Sequence, residues 1–468
     1  MNIIDTMTDP QLFAEQFSGD CWDNWRVLLK AFYALPLDDV DLPVYEQLTA
    51  RREAPTTPFK ELWLAIGRRG GKSQNAALIA VYEAFFNDYS DKLSKGEVAT
   101  TMVIAADRKQ ARSVFRYIKG LVDSCPMLKQ MVLRENTESL ELSNRSVIEI
   151  TTASHRRTRG YTCSCVIADE VAFWMTSTES ANPDKEIINA LRPSLATLGG
   201  KLIALSSPYA RKGVLWEAYR NYFGKDDSKR VLVAQAPTEL MNPTLDREVI
   251  AQAYLEDESA AKAEYGAQFR TDVESFIGFE AVEAVTIPDR RELAPARVNF
   301  YIAFVDAAGG SGQDAMTCAI AHLDKHTNKL VLDVVRAVKP PFSPQNVVAE
   351  FCDLFKAYAV KRVIGDRWGG DFVQEQFRDR GIQYTPSEKT KSEIYAELLP
   401  LINSERVELL DVKQLRQELT GLERRTSRSG KDSIDHAPNQ HDDLINSAAG
   451  ALVNAAQVRK FIPGLPIG

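Results

Sequence analysis

The chain has 468 residues, a formal net charge of -7 at pH 7, 44% hydrophobic residues and 26% charged residues. This length predicts two to three domains, and the composition is typical of a soluble globular protein rather than of a chain coated with nucleic acid. No apolar run approaches the ~20 residues that span a bilayer, the first ten residues do not resemble a signal peptide, and six cysteines without zinc-pair spacing are expected to be reduced in a cytosolic compartment.

Residues 11–45 have a mostly helical pattern and many aromatic side chains, which are Phe13, Phe17, Trp22, Trp25, Phe32 and Tyr33. Two interpretations stay open for this segment. The helix covers the edge of the core, or an aromatic side chain supports a nucleotide base.

Short apolar runs then alternate with helical stretches. The predicted strands cover residues 61–66, 101–106, 146–151, 165–168 and 201–205, and predicted helices cover 72–89 and 108–122. Buried strands that alternate with helices are typical of a mostly parallel sheet with helices on its faces.

A glycine-rich turn follows the first predicted strand and reads Gly67-Arg68-Arg69-Gly70-Gly71-Lys72-Ser73. In a phosphate loop the glycines let backbone N–H groups point at the phosphates, the lysine reaches the outer phosphates, and the hydroxyl holds magnesium. The N-terminus of the following helix adds its favourable dipole. The first glycine stands one place late, with Ile66 in its usual position, so a chance Gly-Lys-Ser is the alternative interpretation.

Two acids, Asp169 and Glu170, end the predicted strand over 165–168. Asp169 is expected to hold magnesium and Glu170 to act as general base toward the attacking water. Solvated turn residues are the alternative. The turn Ser206-Ser207-Pro208 ends another strand, and its hydroxyls are candidates for sensing the terminal phosphate.

Three arginines, Arg156, Arg157 and Arg159, come shortly before the strand that ends in Asp169. Three readings are comparable from spacing alone: stabilisation of phosphoryl-transfer charge, a solvated basic loop, and contact with DNA phosphates.

The pattern changes over residues 236–295, where prolines interrupt it, and we expect a linker or small subdomain there. A further domain begins near residue 296. Its predicted strands cover 299–305, 317–322, 329–334 and 361–365, in an order that favours a mixed sheet.

Aspartates lie at the ends of two of these strands, Asp306 and Asp366, and at the start of a later helical segment, Asp442 and Asp443. Such acids can converge on two hard cations roughly 4 Å apart, which favours phosphodiester cleavage with Mg²⁺ or Mn²⁺ rather than zinc. Turn and N-cap aspartates are the alternative. Secondary candidates are Asp314, Asp371 and His441.

Together these motifs resemble the large terminase subunit of tailed bacteriophages. The resemblance covers most of the chain and rests on residues 67–73, 167–170, 206–208, Asp306, Asp366 and 441–443. It implies an α/β protein with an N-terminal P-loop ATPase domain over 1–235, a linker or small subdomain over 236–295, and an RNase H-like nuclease domain over 296–468. ATP with Mg²⁺ is the expected ligand of the first domain, and Mg²⁺ or Mn²⁺ that of the last.

The resemblance also implies roles for single residues. Arg68 matches an arginine carried inside the phosphate loop, Arg159 one that reaches a neighbouring subunit's ATP, and residues 206–208 a segment that couples hydrolysis to movement. Trp25-Arg26 stands where an adenine-recognising glutamine is expected. The resulting catalytic candidates are Glu170, Arg68, Arg159, Asp306, Asp366 and Asp443, and the metal-binding candidates are Ser73, Asp169, Asp306, Asp366, Asp442 and Asp443.

Proteins of this kind package double-stranded DNA into a procapsid and cut it. The implied partners are DNA, the portal protein, the procapsid, the small terminase subunit and further copies of the chain in a ring, without a membrane. The expected location is the host cytoplasm, with transient docking on the procapsid. Two alternatives remain, a helicase-like ATPase–nuclease of repair or defence and a non-catalytic capsid docking protein.

Overall fold

The computed structural model describes residues 1–153, 160–174, 183–310, 312, 314–366, 370–426, 432–437 and 440–457, without the side chains of 183 and 370–373. The described residues divide into two compact units, one that ends at Thr271 and one that begins at Asp272. This division falls inside the segment 236–295. That this segment is a linker or small subdomain stays a prediction. None of the described helices has both the length and the apolar character needed to cross a bilayer.

The first unit is built on a sheet with strand order β3-β4-β5-β2-β6-β7-β1-β8. The strands are β1 (Glu61–Ile66), β2 (Ala99–Ala105), β3 (Val132–Glu135), β4 (Ser139–Leu142), β5 (Ser146–Thr152), β6 (Cys163–Asp169), β7 (Lys201–Ser206) and β8 (Val231–Ala236). Neighbours from β5 to β8 pair in parallel, and only β3 and β4 add antiparallel pairing among the described strands. The predicted mostly parallel sheet is confirmed.

Helices cover this sheet and continue beyond it. They are α1 (Ile3–Thr8), α2 (Asp23–Phe32), α3 (Asp41–Thr49), α4 (Lys72–Phe85), α5 (Arg108–Ser124), α6 (Pro126–Met131), α7 (Pro183–Leu191), α8 (Gly213–Tyr222), α9 (Thr238–Met241), α10 (Arg247–Glu256) and α11 (Glu258–Glu264). Short 3-10 helices cover Asp20–Trp22, Ser90–Lys92, Val171–Phe173 and Arg192–Leu195.

The sheet brings the predicted motifs to one edge. Strand β7 pairs in parallel with both β6 and β1, so the three chain segments leave the sheet at neighbouring carboxyl ends. Every residue of β1 and β6 is buried, which explains their continuous apolar runs. Ligands of open parallel sheets bind outside such carboxyl ends.

The aromatic residues of the N-terminal segment differ in burial. Phe13, Phe17, Trp25 and Phe32 are buried in the core, which confirms the first interpretation for these four. Trp22 is only partly buried and packs edge-on against Phe17, with ring centroids 5.0 Å apart.

The second unit contains a mixed sheet of order β10-β16-β13-β12-β11-β14-β15 and a small antiparallel sheet of order β18-β17-β9. Its strands are β9 (Val273–Ser275), β10 (Thr286–Ile287), β11 (Tyr301–Asp306), β12 (Met316–Leu323), β13 (Leu330–Val338), β14 (Arg362–Gly365), β15 (Gln383–Pro386), β16 (Val407–Leu410), β17 (Leu422–Thr426) and β18 (Asp432–His436). Its helices are α12 (Phe279–Val285), α13 (Pro344–Ala357), α14 (Gly370–Arg378), α15 (Lys391–Asn403), α16 (Lys413–Thr420) and α17 (Asp443–Gln457). The predicted mixed sheet is confirmed.

Two features of this unit place its aspartates. Strand β11 pairs in parallel with β14 in the register Val305↔Gly365, so Asp306 and Asp366 follow directly opposed residues. Helix α17 packs on β11 and β12. It crosses closely at Gly450, where a Cβ would lie 2.4 Å from ring carbons of Phe304.

Candidate functional sites

The turn after β1 has the backbone that a phosphate loop needs. Gly71 lies at φ 85° and Arg69 at φ 65°, both in the left-handed region, and α4 begins at Lys72. A Cβ on Gly71 would lie 3.0 Å from Nε1 of Trp25, which donates a hydrogen bond to the Gly70 carbonyl at 2.9 Å. Trp25 therefore supports the loop from beneath, and a side chain at Gly71 is disfavoured by both conformation and space.

The outer side of the loop is held by the segment that follows β8. The hydroxyl of Thr238 donates to the Arg68 carbonyl at 2.8 Å, and the amide of Asn242 donates to the Arg69 carbonyl at 2.9 Å. The Arg68 guanidinium pairs with Glu264 at 2.9 Å, and this hydrogen bond raises the pKa of Arg68. Arg68 is thus tied to α11.

Lys72 is buried at the start of α4. Its ammonium donates to the carbonyls of Ile66 at 2.9 Å and Gly67 at 3.3 Å, and to the hydroxyl of Ser207 at 3.0 Å. Burial lowers the pKa of Lys72, and the nearby Glu170 acts in the opposite direction. A buried cation ringed by neutral oxygens suits an anionic ligand.

The two acids at the end of β6 have different surroundings. Burial, with a smaller contribution from Glu170, raises the pKa of Asp169 to about 7. Glu170 lies at φ 51°, and its carboxylate accepts a hydrogen bond from Ser206 at 2.8 Å. Ser206 and Ser207 therefore connect the end of β7 to Glu170 and Lys72, because β7 lies between β6 and β1.

A cleft of about 680 Å³ opens over this loop. Its walls include the predicted Arg68, Arg69, Gly71, Lys72, Ser73 and Glu170, the aromatic candidate Trp22, and the unpredicted Cys21, Gln74, Tyr117, Met241, Asn242, Thr244 and Leu245. Trp22 reaches the cleft, whereas Trp25 lies in the core. Arg156, Arg157 and Arg159 lie outside the described residues.

A second cavity, of about 560 Å³, lies in the second unit. The four predicted aspartates Asp306, Asp366, Asp442 and Asp443 all line it, together with Asp314 and His441. The side chain of Asp371 lies outside the described residues.

Asp306 is the most perturbed acid of this cavity. Burial, and then a hydrogen bond and like charge from Asp366, raise the pKa of Asp306 well above its usual range. The amide of Asn446 donates to Asp306 at 2.8 Å, and the Tyr384 hydroxyl donates to the Asp366 carbonyl at 2.8 Å. Two carboxyls pressed together in a buried place favour the arrival of a cation.

Asp443 is the first residue of α17 and faces the same cavity. Its carboxylate accepts the backbone N–H of Ala315 at 2.8 Å, and its carbonyl accepts the Thr317 hydroxyl at 2.6 Å. Burial raises the pKa of Asp443. Glu418 fixes this helix start by accepting the N–H of Ile445 at 2.9 Å, and burial raises the pKa of Glu418 to about 7.

Asp442 differs from its neighbour because its oxygens are already engaged. The Tyr395 hydroxyl donates to Asp442 at 2.9 Å, and the Lys391 ammonium lies 3.0 Å from the same oxygen. Lys391 also pairs with Asp435 of β18 at 2.8 Å.

Two groups of described side chains have ligand atoms that all lie within 4.8 Å of one another. One is Asp314, His441 and Asp443, and the other is Asp435, His436 and Asp442. The predicted set of Asp306, Asp366 and Asp443 lines one cavity without meeting this spacing among the described side chains. Its acidic oxygens and the raised pKa of Asp306 nevertheless fit a hard divalent cation.

Comparisons with known proteins found one family model and several relatives. A family model described as "Uncharacterized protein MJ0330, N-terminal P-loop domain" matches residues 29–267. The chain is 24% identical over 452 residues to "Terminase, large subunit" of Thermus virus P23-45. The alignment covers 88% of this chain and 86% of that protein. A protein of the same name from Thermus phage G20c is 23% identical, with coverage of 88% and 86%. These relatives confirm the resemblance to large terminase subunits.

Among solved structures, the large terminase of bacteriophage HK97 is similar with a TM-score of 0.39 and 16% identity. That alignment covers 92% of this chain and 99% of the HK97 chain.

Proposed function

This chain belongs to the family of the MJ0330 N-terminal P-loop domain, and from this premise we propose that it is a viral DNA-packaging motor with a metal-dependent endonuclease. The observation that carries the proposal is the presence, on one chain, of a phosphate-loop cleft in the first unit and a four-aspartate cavity in the second. The large terminase subunits among its relatives support the same pairing.

In the first unit the proposed reaction is hydrolysis of ATP. The backbone N–H groups of Gly71, Lys72 and Ser73 and the Lys72 ammonium bind the phosphates. The N–H groups of Gly67 and Gly70 instead donate to the carbonyls of Ala236 and Gly67, which shapes the loop. Glu170 accepts the proton of the attacking water, and Ser206 orients the Glu170 carboxylate through their hydrogen bond of 2.8 Å. Ser73 and Asp169 would hold Mg²⁺, which supplies charge neutralisation at the phosphates.

In the second unit the proposed reaction is cleavage of a DNA phosphodiester. Asp306, Asp366 and Asp443 would hold divalent ions, which stabilise charge on the attacking and leaving oxygens. Asn446 holds one oxygen of Asp306 at 2.8 Å, and Ala315 holds one of Asp443 at 2.8 Å. These hydrogen bonds fix the carboxylates before a cation binds, which limits the reorganisation that binding requires.

The proposed partners follow from this activity. They are double-stranded DNA, the portal protein and procapsid, the small terminase subunit, and neighbouring copies of the chain in a ring. In that ring Arg159 would reach the ATP of the adjacent subunit. The host cytoplasm is the proposed location.

The test uses the purified full chain with plasmid DNA. With ATP and Mg²⁺ we expect phosphate release, and with Mn²⁺ we expect plasmid cleavage. If calorimetry detects no nucleotide binding, the result would favour the alternative of a non-catalytic capsid docking protein. Displacement of one strand from a short duplex would instead indicate a helicase-like enzyme.

A further inference from the structure

A second group of potential metal ligands lies beside Asp443 but holds a lysine. The ligand atoms of Asp435, His436 and Asp442 all lie within 4.8 Å of one another. The Lys391 ammonium lies 2.8 Å from Asp435 and 3.0 Å from Asp442. An ammonium at this place supplies the positive charge that a divalent ion would otherwise bring.

Asp442 depends on this cation because it is only 4% exposed. A buried carboxylate requires a paired charge and further hydrogen bonds. Lys391 gives the first, and the fully buried Tyr395 adds a hydrogen bond of 2.9 Å. Asp443, by contrast, accepts the backbone N–H of Ala315 at 2.8 Å, while Lys391 pairs with Asp435 and Asp442.

The backbone keeps Lys391 in this position. Lys391 is the first residue of α15, whose Thr390 and Glu393 form a reciprocal capping pair. The next residue, Ser392, both donates to the carbonyl and accepts from the N–H of Ile434, each at 3.0 Å. A lysine is unfavourable in the first turn of a helix because the dipole is positive there. Its placement is therefore explained by the two carboxylates rather than by the helix.

We propose that Lys391 is a positioning residue that occupies the Asp435–His436–Asp442 group as its resident cation, and so withholds Asp442 from divalent ions. Because Asp442 precedes Asp443 directly, the same contact fixes the backbone that presents Asp443 to the cavity. The effect on DNA cutting rests on the proposed nuclease function, whereas the exclusion of metal from Asp442 does not.

The experiment counts Mn²⁺ bound to the full chain, by electron paramagnetic resonance of free Mn²⁺. Lys391→Gln removes the charge and keeps hydrogen-bonding groups, so we expect one more bound Mn²⁺ per chain than in the wild type. The double variant Lys391→Gln/Asp442→Asn should return to the wild-type count. Lys391→Arg, which keeps the charge, should not gain an ion. Lys356→Gln, on the exposed side of α13, is the control for loss of a lysine.

Equal Mn²⁺ counts for Lys391→Gln and the wild type would overturn the proposal. If Lys391→Gln does not fold, as judged by circular dichroism, Asp442→Asn alone decides the question. This variant should keep the wild-type count, and loss of an ion would overturn the proposal. A wild-type chain that binds no Mn²⁺ and cuts no DNA contradicts the nuclease function, while an ion gained by Lys391→Gln would still support the role of Lys391.

Discussion

Glu170 shows how one backbone position prepares a catalytic group. Its φ of 51° turns the chain sharply at the end of β6. The turn leaves Asp169 buried and brings the Glu170 carboxylate to Ser206, 2.8 Å away on the neighbouring strand. Two adjacent acids thereby acquire separate environments, which is the physical basis for giving them separate roles.

We expect Glu170→Gln to lower ATP turnover by about 10²- to 10⁴-fold, because the amide cannot accept the proton of water. Nucleotide affinity should change little, since Lys72 and the loop backbone remain. Phosphate release and calorimetric binding of a non-hydrolysable analogue measure the two effects. Glu46→Gln, an exposed change in α3, serves as the control. Normal turnover in Glu170→Gln would remove this residue from the mechanism.

Sequence alone predicted the acidic candidates of both sites but not the side chains that hydrogen-bond to them. Asp169, Glu170, Asp306 and Asp366 could be predicted because each ends an apolar strand, a local pattern. Tyr395 could not, because it lies in α15 and meets Asp442 only through the packing of two helices. For a related reason, sequence alone could not separate the two tryptophans of the first unit. Trp22 and Trp25 are three positions apart, and packing alone decides which faces the cleft.

At the scale of elements, the junction between β1 and α4 depends on glycine. We expect Gly71→Ala to lower the free energy of unfolding by about 1–2 kcal/mol, because an L residue is strained in the left-handed region. The substitution should also weaken nucleotide binding, since Trp25 leaves little space. Chemical denaturation and calorimetry provide the measurements.

The matched control is Gly120→Ala in the middle of α5, where a Cβ meets nothing within 4 Å. This change should stabilise the protein by about 0.5–1 kcal/mol, because alanine loses less backbone entropy in a helix. Similar destabilisation by both variants would contradict a special conformation at Gly71.

The start of α17 should be sensitive to pH through Glu418. Burial raises its pKa from 4.5 to about 7, so the folded protein holds this proton more tightly than the unfolded chain does. The contribution of Glu418 to the free energy of unfolding therefore falls as pH rises through that window. Glu418→Gln stays neutral at every pH. Its free energy of unfolding relative to wild type should therefore grow by roughly 3 kcal/mol as the pH rises through this window.

Thermal unfolding at a series of pH values measures this difference. The exposed Glu274→Gln should show no comparable trend, since its side chain lies on β9 in solvent. A constant difference between Glu418→Gln and wild type across the range would disprove the assignment.

At the scale of the whole molecule, the two candidate sites lie in different compact units and share no lining residue among those described. We expect Asp366→Ala to abolish DNA cutting with ATP turnover intact, and Lys72→Ala to abolish ATP turnover with Mn²⁺-dependent cutting intact. Plasmid cleavage and phosphate release on the same preparations measure both. Loss of both activities in a folded single variant would contradict two separable sites.

The large-scale organisation was easier to predict than its borders. The strands of the parallel sheet could be predicted because fully buried strands are continuous apolar runs in the sequence. Three consecutive strands indicated the mixed sheet. Inside the segment 236–295, for example, the chain forms two helices: Asp257 follows α10 and caps α11, where its carboxylate accepts the N–H of Ala260 at 2.9 Å. Aspartate favours such a cap over a helix interior.

Gly450 has a further consequence for the second cavity. It lies about two turns along α17 from Asp443, roughly 10 Å by the rise of a helix, at the point where Phe304 leaves no room for a methyl group. Because the helix is stiff, its clearance above β11 at this remote point sets how deeply its first carboxylate reaches toward Asp306. A larger side chain at position 450 is therefore expected to shift Asp443 relative to Asp306, although it contacts neither aspartate.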